Sequence, residues 1–126
     1  MKTIIAVIVI LALLVGGVSG MYLQTSMLYR EIDRAFQDLT TKVENENWEA
    51  ARKKTGSLKD QWSQAEEFWA TFMDHQEIEL VDESINKIDS LVQIKEQNDL
   101  LVEIHLARSF LYRLKEKESP SIKNIL

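Results

Sequence analysis

The chain opens with a long apolar run and continues with the periodic apolar pattern of helices. From Ile4 to Val18 fifteen residues carry no charge, and apolar residues continue to Leu23. The stretch from Ile4 to Leu23 is twenty residues long, and a helix rising about 1.5 Å per residue needs about that many to cross the hydrocarbon core of a bilayer. The pattern predicts a membrane-spanning signal-anchor helix over residues 1–23.

A cleaved secretory signal is the alternative interpretation of this run. Its features would be the basic start at Lys2 and the small residues of Val18-Ser19-Gly20, where a peptidase could cut. A retained anchor is favoured because Met21-Tyr22-Leu23 prolongs the apolar stretch past that point to the full spanning length. Tyr22 would then lie in the interfacial aromatic belt.

Charges near the run bear on its orientation in the membrane. Lys2 and the amino terminus lie on one side, and Arg30, Arg34 and Lys42 lie on the other. This count alone disfavours export, but a very short basic head is typical of signal anchors, and long polar domains translocate despite their charge. We expect a single-pass protein of the cell membrane with an extracytoplasmic C-terminal domain.

Beyond the anchor, apolar residues recur at steps of three and four, which is the period of a helix. One Gly, Gly56, and one Pro, Pro120, also argue for long helices rather than turn-rich β structure. The first stripe follows directly from the span and comprises Leu28, Ile32, Ala35, Leu39 and Val43. The second comprises Trp48, Ala51, Thr55, Leu58, Trp62, Ala65, Trp69 and Phe72. The third comprises Ile78, Val81, Ile85, Ile88 and Val92, and the fourth Leu100, Ile104, Ala107, Leu111 and Leu114.

Capping residues divide these stripes into separate helices. Asn47 is placed to cap the second helix, and Asp74 begins the third as part of a capping box. The third helix is predicted to stop near Gln97 with Asn98 capping the fourth, and Ser119-Pro120 is predicted to end the fourth.

Short links place neighbouring helices antiparallel. The sequence therefore predicts an all-α protein: an antiparallel bundle of about four helices over residues 24–118, its first helix continuous with the membrane span, and a C-terminal tail over 119–126. Two stacked helical hairpins are the alternative architecture, but a solenoid needs about three repeats and only two such units exist.

Composition excludes several classes of function. The formal charge is -5 at pH 7, whereas a nucleic-acid surface or a polybasic grip on anionic lipid needs clustered cations. The chain has no cysteine, which excludes disulfides, thiol catalysis and thiolate metal sites. We expect no nucleic-acid partner.

No pattern of catalytic or metal-binding residues is present either. His75, Glu79 and Glu83 share one helix face, but three groups from one helix rarely surround a metal. Glu103-Ile104-His105 has the wrong spacing for a di-iron bundle. The sequence lacks a phosphate-binding glycine loop and a serine elbow. We expect a non-enzyme without cofactor or metal.

The tryptophans suggest an aromatic ligand pocket, but their heptad spacing favours burial in a core or against a partner helix. The candidate core or interaction seam comprises Trp48, Trp62, Trp69, Phe72 and His75.

A family resemblance rests on three features of the chain. These are Trp62 and Trp69 seven residues apart, the segment His75-Gln76-Glu77-Ile78, and the closing Ser121-Ile122-Lys123-Asn124-Ile125-Leu126. Together they resemble domain-of-unknown-function family 4363. The resemblance implies a short protein with an N-terminal membrane segment and a helical remainder, typical of spore-forming Gram-positive bacteria and often encoded beside a multi-span membrane protein. It implies no activity and no role for individual residues.

Two functional classes follow. The first is a membrane-anchored helical interaction domain, an accessory subunit that contacts another membrane protein or a second copy of itself. The second is an extracytoplasmic binding module whose core, around Trp48, Trp62 and Trp69, opens to a small apolar ligand. They differ in one observable, since a binding module needs a cavity of about 300 Å³ or more and an interaction domain needs an exposed apolar surface.

Overall fold

The computed structural model describes residues 1–71 and 73–125, with side chains described as far as residue 116. Within these residues the chain forms helices and no strands. The helices are α1 (Lys2–Glu44), α2 (Trp48–Trp69), α3 (His75–Ile94) and α4 (Gln97–Ile125). The all-α prediction is confirmed.

Helix α1 joins the apolar run to the bundle without a break. It is long and apolar enough to cross a membrane, with a mean hydropathy of 2.8 over its most apolar window, and an N-terminal signal sequence can have the same apolar character. Every residue as far as Gln24 is exposed, and burial begins at Thr25, which is 2% exposed. The predicted continuity between the apolar helix and the first bundle helix is therefore confirmed.

The four helices form an up-and-down bundle. Each helix packs against its neighbour in the chain, and α1 also packs against α4. This last contact closes the ring, whereas two stacked hairpins would leave α1 and α4 apart. Between the helices lies a core of the predicted stripes, because residues three and four apart share one helix face. The largest fully buried side chains include Ile32, Phe36, Leu39, Leu58, Trp69, Ile85, Ile88, Leu100, Ile104, Leu111 and Leu114.

Two of the predicted helix starts are confirmed. The Asn47 side chain accepts a hydrogen bond from the amide of Ala50 at 3.3 Å. The Asp74 side chain accepts one from the amide of Gln76 at 3.2 Å, two residues on, whereas a capping box places this bond three residues on. Each carboxylate or amide oxygen satisfies a donor that the first helical turn leaves without a backbone partner.

The prediction that α3 ends near Gln97 and that Asn98 caps α4 is wrong. Helix α3 ends at Ile94, and α4 begins at Gln97. The chain turns at Lys95, whose φ is 58°, with the amide of Lys95 bonded to the carbonyl of Val92 and that of Glu96 to Leu91. This Schellman motif ends the helix through backbone geometry, without the glycine that normally signals it.

We expect Lys95→Gly to stabilise the protein by up to about 1 kcal/mol. A residue with a Cβ is strained in the left-handed conformation, whereas glycine adopts it readily. The greater conformational freedom of glycine in the unfolded chain offsets only part of the stability gained by relieving this strain. Chemical denaturation of both proteins gives the difference. Lys87→Gly, in the regular part of α3, is the control and should be destabilising. A loss of stability for Lys95→Gly would contradict the assignment of strain to this turn.

The predicted helix end at Ser119-Pro120 is also wrong, since α4 continues to Ile125. A proline removes one backbone donor from a helix and costs about 3 kcal/mol, which disfavours a helix without prohibiting it. The side chains of the predicted tail over 119–126 lie outside the described residues, as does Phe72 of the predicted seam.

Candidate functional site

Two tryptophans of the predicted seam form the aromatic centre of the bundle. Trp62 is 2% exposed and Trp69 1% exposed. Their ring centroids lie 5.8 Å apart at an interplanar angle of 50°, within the range of favourable aromatic pairs. Trp48, at the start of α2, is half-buried against the same core.

The two indole N–H groups have different surroundings. That of Trp62 donates to the Asp82 carboxylate on α3 at 3.3 Å. That of Trp69 is buried and has no hydrogen-bond partner among the described residues. An unpartnered buried donor costs about 1 to 3 kcal/mol, so Trp69 stabilises the bundle through the packing of its ring.

A small pocket of about 190 Å³ lies beside Trp62, between α2 and α3. Five of its seven lining residues are polar or charged, and the full set comprises Lys59, Trp62, Ser63, Glu66, Asp82, Ile85 and Asn86. Lys59 forms an ion pair with Asp89 across the same helix interface at 3.1 Å. Burial and, to a lesser degree, the negative charge of Asp82 raise the pKa of Glu66 above its ordinary value of 4.5. The pocket therefore disfavours the charged form of the Glu66 carboxyl group.

We expect Glu66→Gln to stabilise the protein at neutral pH and to have no such effect below pH 4.5. Because the pKa is raised on folding, the folded state favours the protonated carboxyl group, and this preference is lost as pH rises through the folded pKa. Glutamine stays neutral at every pH. Denaturation of both proteins across this range gives the difference in unfolding free energy. A difference that does not change with pH would contradict the assignment.

A second concave surface lies on the outside of the bundle between α1 and α4. This α1–α4 groove has a volume of about 490 Å³ and is lined by Tyr29, Asp33, His105, Arg108, Ser109, Tyr112 and Arg113. The Arg108 guanidinium donates to both carboxylate oxygens of Asp33, at 2.8 and 3.3 Å. This hydrogen bonding raises the pKa of Arg108 above its ordinary value. The Lys115 ammonium lies 4.7 Å from the centre of the Tyr29 ring. Charged and aromatic groups thus tie the two helices together.

The sequence did not identify this groove. Asp33 and Arg108 flank two different apolar stripes and lie 75 residues apart in the chain. Only the closing contact between α1 and α4 brings them together. In the sequence, Asp33 follows Ile32 and Arg108 follows Ala107, and both of these apolar residues are buried members of their stripes. This position at the edge of each stripe would have predicted the ion pair only if the first and last helices were already known to be neighbours.

His75 lies exposed in the first turn of α3, outside the buried seam. His75 is the first helical residue after the Asp74 cap, and it faces solvent because the buried face of α3 begins at Ile78. In the part of the chain with described side chains, no group of three or more His, Asp or Glu residues is placed to hold a metal ion. The absence of a metal centre stays a prediction.

We expect His75→Ala to change neither metal content nor fold, and to alter stability only slightly. The side chain is exposed, and surface substitutions of this kind are usually within about 0.5 kcal/mol of neutral. Metal analysis of protein purified without added metal should find zinc, iron and manganese well below one equivalent. Stoichiometric metal that disappears in the His75→Ala protein would show that the face with Glu79 and Glu83 is a metal site.

Comparison with known proteins supports the resemblance noted from the seam and the C-terminus. Residues 20–125 match the family described as Domain of unknown function (DUF4363). The chain belongs to this family. The DUF4363 match covers all of the bundle and begins at Gly20, so most of the apolar run precedes it. No curated protein and no solved structure matches the chain.

Proposed function

We propose that this DUF4363 protein is a non-enzymatic, membrane-anchored interaction domain that acts as an accessory subunit of a membrane protein complex. The observation that carries the proposal is the unbroken helix α1. Its apolar half is exposed throughout, and its second half is one wall of the bundle core. Because no flexible linker separates the two halves, a movement of the span would turn or tilt the bundle directly.

The retained anchor accounts for the exposure of large apolar side chains over the first half of α1. Residues such as Ile4, Leu13 and Leu23 are 64%, 71% and 61% exposed. An apolar helix of this length is not stable in water without a partner, whereas a bilayer covers it on all sides. We place the bundle outside the cytoplasm, as expected for a signal anchor with a short basic head.

The bundle also carries apolar side chains that its own core does not use. Val102 is 61% exposed and Leu106, one turn further along α4, is 40% exposed. Ile94, at the end of α3, is 65% exposed. Scattered exposed apolar residues are common on soluble proteins, but two in one row of α4 are where we expect a partner protein or a second copy to make contact.

Site-specific photocrosslinking in native membranes tests this proposal. A photoreactive residue at Val102 should give a defined crosslinked product with another membrane protein or with a second copy. Leu106→Glu should abolish that product, whereas Lys53→Glu, on the exposed face of α2, should leave it unchanged. The absence of any crosslinked protein product would contradict an interface on α4. A product of equal yield in the Leu106→Glu protein would contradict it as well.

The alternative of a binding module for a small apolar ligand has less support. Its ligand would have to separate Trp62 and Trp69, whose rings are already in contact at 5.8 Å. The pocket beside Trp62 measures about 190 Å³, below the usual range for ligand sites. A saturable change in tryptophan fluorescence on adding an apolar compound would favour this alternative.

A further inference from the structure

The contacts between helices fix which part of the bundle lies at the end of the apolar run. The Lys54 ammonium contacts the Asp38 carboxylate at 3.4 Å, so these two residues lie at the same height on α2 and α1. Fifteen residues separate Asp38 from Leu23, and fifteen separate Lys54 from Trp69. At about 1.5 Å per residue both distances are about 22 Å. Because the helices are antiparallel, Trp69 lies level with Leu23.

Helix α4 gives the same height from an independent contact. Arg108 and Asp33 lie side by side at 2.8 Å. Glu116 is eight residues beyond Arg108, and Thr25 is eight residues before Asp33, so the two are level. Bundle helices cross at about 20°, which shortens these distances by less than a tenth. The lower end of α2 and α3 therefore coincides with the end of the apolar run, whereas α4 continues nine residues further, to Ile125.

The residues at this lower end suit a boundary between lipid and water. Between Glu67 and Asp74 the sequence carries no charge. Phe68 and Met73 are half-buried, and Thr71 is exposed. Aromatic and other large apolar side chains with nearby polar groups are typical of the interfacial layer of a bilayer.

We propose that the lower turn, formed by Ala70, Thr71, Met73 and Asp74 between α2 and α3, rests in the headgroup layer of the bilayer that holds α1. This inference rests on the proposed membrane anchor. The bundle then has two points of attachment, the continuous helix and the lower turn about one helix diameter away. Two attachments fix the tilt of the bundle, so the opposite end presents a defined orientation to a partner.

Single-cysteine labelling of the full chain in vesicles tests the contact. The chain has no native cysteine, so each introduced cysteine is labelled alone. The probes are an environment-sensitive fluorophore on Thr71→Cys in the lower turn, on Ser63→Cys partway up α2, and on Asn45→Cys at the opposite end. All three positions are exposed. The vesicles are phosphatidylcholine with a nitroxide quencher on the lipid, and flotation first shows that the protein is bound.

When the protein floats with the vesicles, we expect the emission of the label at position 71 to shift to shorter wavelength. We also expect the lipid nitroxide to quench this label several-fold more than the labels at positions 63 and 45. If the label at position 71 had the same water-exposed emission as the label at position 45, the proposal would be overturned while the anchor stayed intact. A label shielded from water but not quenched by lipid would overturn it in favour of a protein contact. Failure of the protein to float would refute the anchor itself, and the lower turn with it.

Discussion

Trp69→Ala should lower the free energy of unfolding by about 3 to 5 kcal/mol, as large-to-small changes in a close-packed core do. Trp69 is 1% exposed and lies 5.8 Å from the Trp62 ring, so truncation leaves a cavity lined by apolar side chains. The measurement is denaturant unfolding of the full chain in detergent micelles, followed by far-ultraviolet circular dichroism. Trp62→Ala should cost a similar amount.

Phenylalanine substitutions separate ring packing from hydrogen bonding. Trp69→Phe removes an indole N–H that has no partner among the described residues, so it should cost much less than alanine. Trp62→Phe removes the donor to Asp82 and should cost more than Trp69→Phe, because the carboxylate loses a hydrogen bond. A loss below about 1 kcal/mol for Trp69→Ala would show that the seam is an interaction face rather than the core.

Arginines in the middle of the apolar run should remove the protein from the membrane. Each arginine at the centre of a spanning helix costs about 2.5 to 3.5 kcal/mol on insertion scales, so Leu11→Arg combined with Leu14→Arg offsets much of the favourable insertion of this run. Both positions are exposed, at 54% and 60%, so neither substitution disturbs packing within the bundle. The protein should leave the carbonate-resistant membrane fraction.

The matched control places the same two charges outside the apolar run. Ser57→Arg with Gln64→Arg, both exposed on α2, should leave the protein in the membrane fraction. If the double arginine variant of the apolar run also stayed there, residues 1–23 would not be the membrane span. Equal loss in both proteins would indicate a general effect of charge on expression or folding.

The sequence predicted the helices and their buried faces because both depend on local spacing. The stripe from Trp48 to Trp69 steps by three and four, which places its residues on one face of any helix. Its packing also outweighs the helix-weakening effect of Gly56, which lies exposed on the opposite side of α2. The cap at Asn47 was predictable for the same reason, since its partner, the amide of Ala50, is three residues away.

The end of α3 could not be predicted in the same way. Lys95 takes the left-handed conformation that glycine normally supplies, and Glu46 does the same after α1, with a φ of 55°. Neither residue type signals that conformation in a sequence. The Gln97 side chain then donates to the carbonyl of Val43 at 3.0 Å, more than fifty residues away, so the turn after α3 is fixed partly by the end of α1.

The α1–α4 groove and the height of the lower turn depend on tertiary register. The pair of Asp33 and Arg108 forms only because α1 and α4 are neighbours. Apolar periodicity shows which face of each helix is buried but not how far one helix has slid along another. The contact between Asp38 and Lys54 supplies that register, and the membrane-contact proposal follows from it.

The most direct test of the membrane anchor is the N-terminal residue of the mature protein in its native membrane. Intact mass and N-terminal sequencing should be carried out on the carbonate-resistant fraction. A retained anchor predicts a chain that begins at Met1 or Lys2 and stays in that fraction. A mature chain beginning at Met21 and released into the soluble fraction would contradict the account, because α1 would then begin close to the bundle and no membrane span would remain.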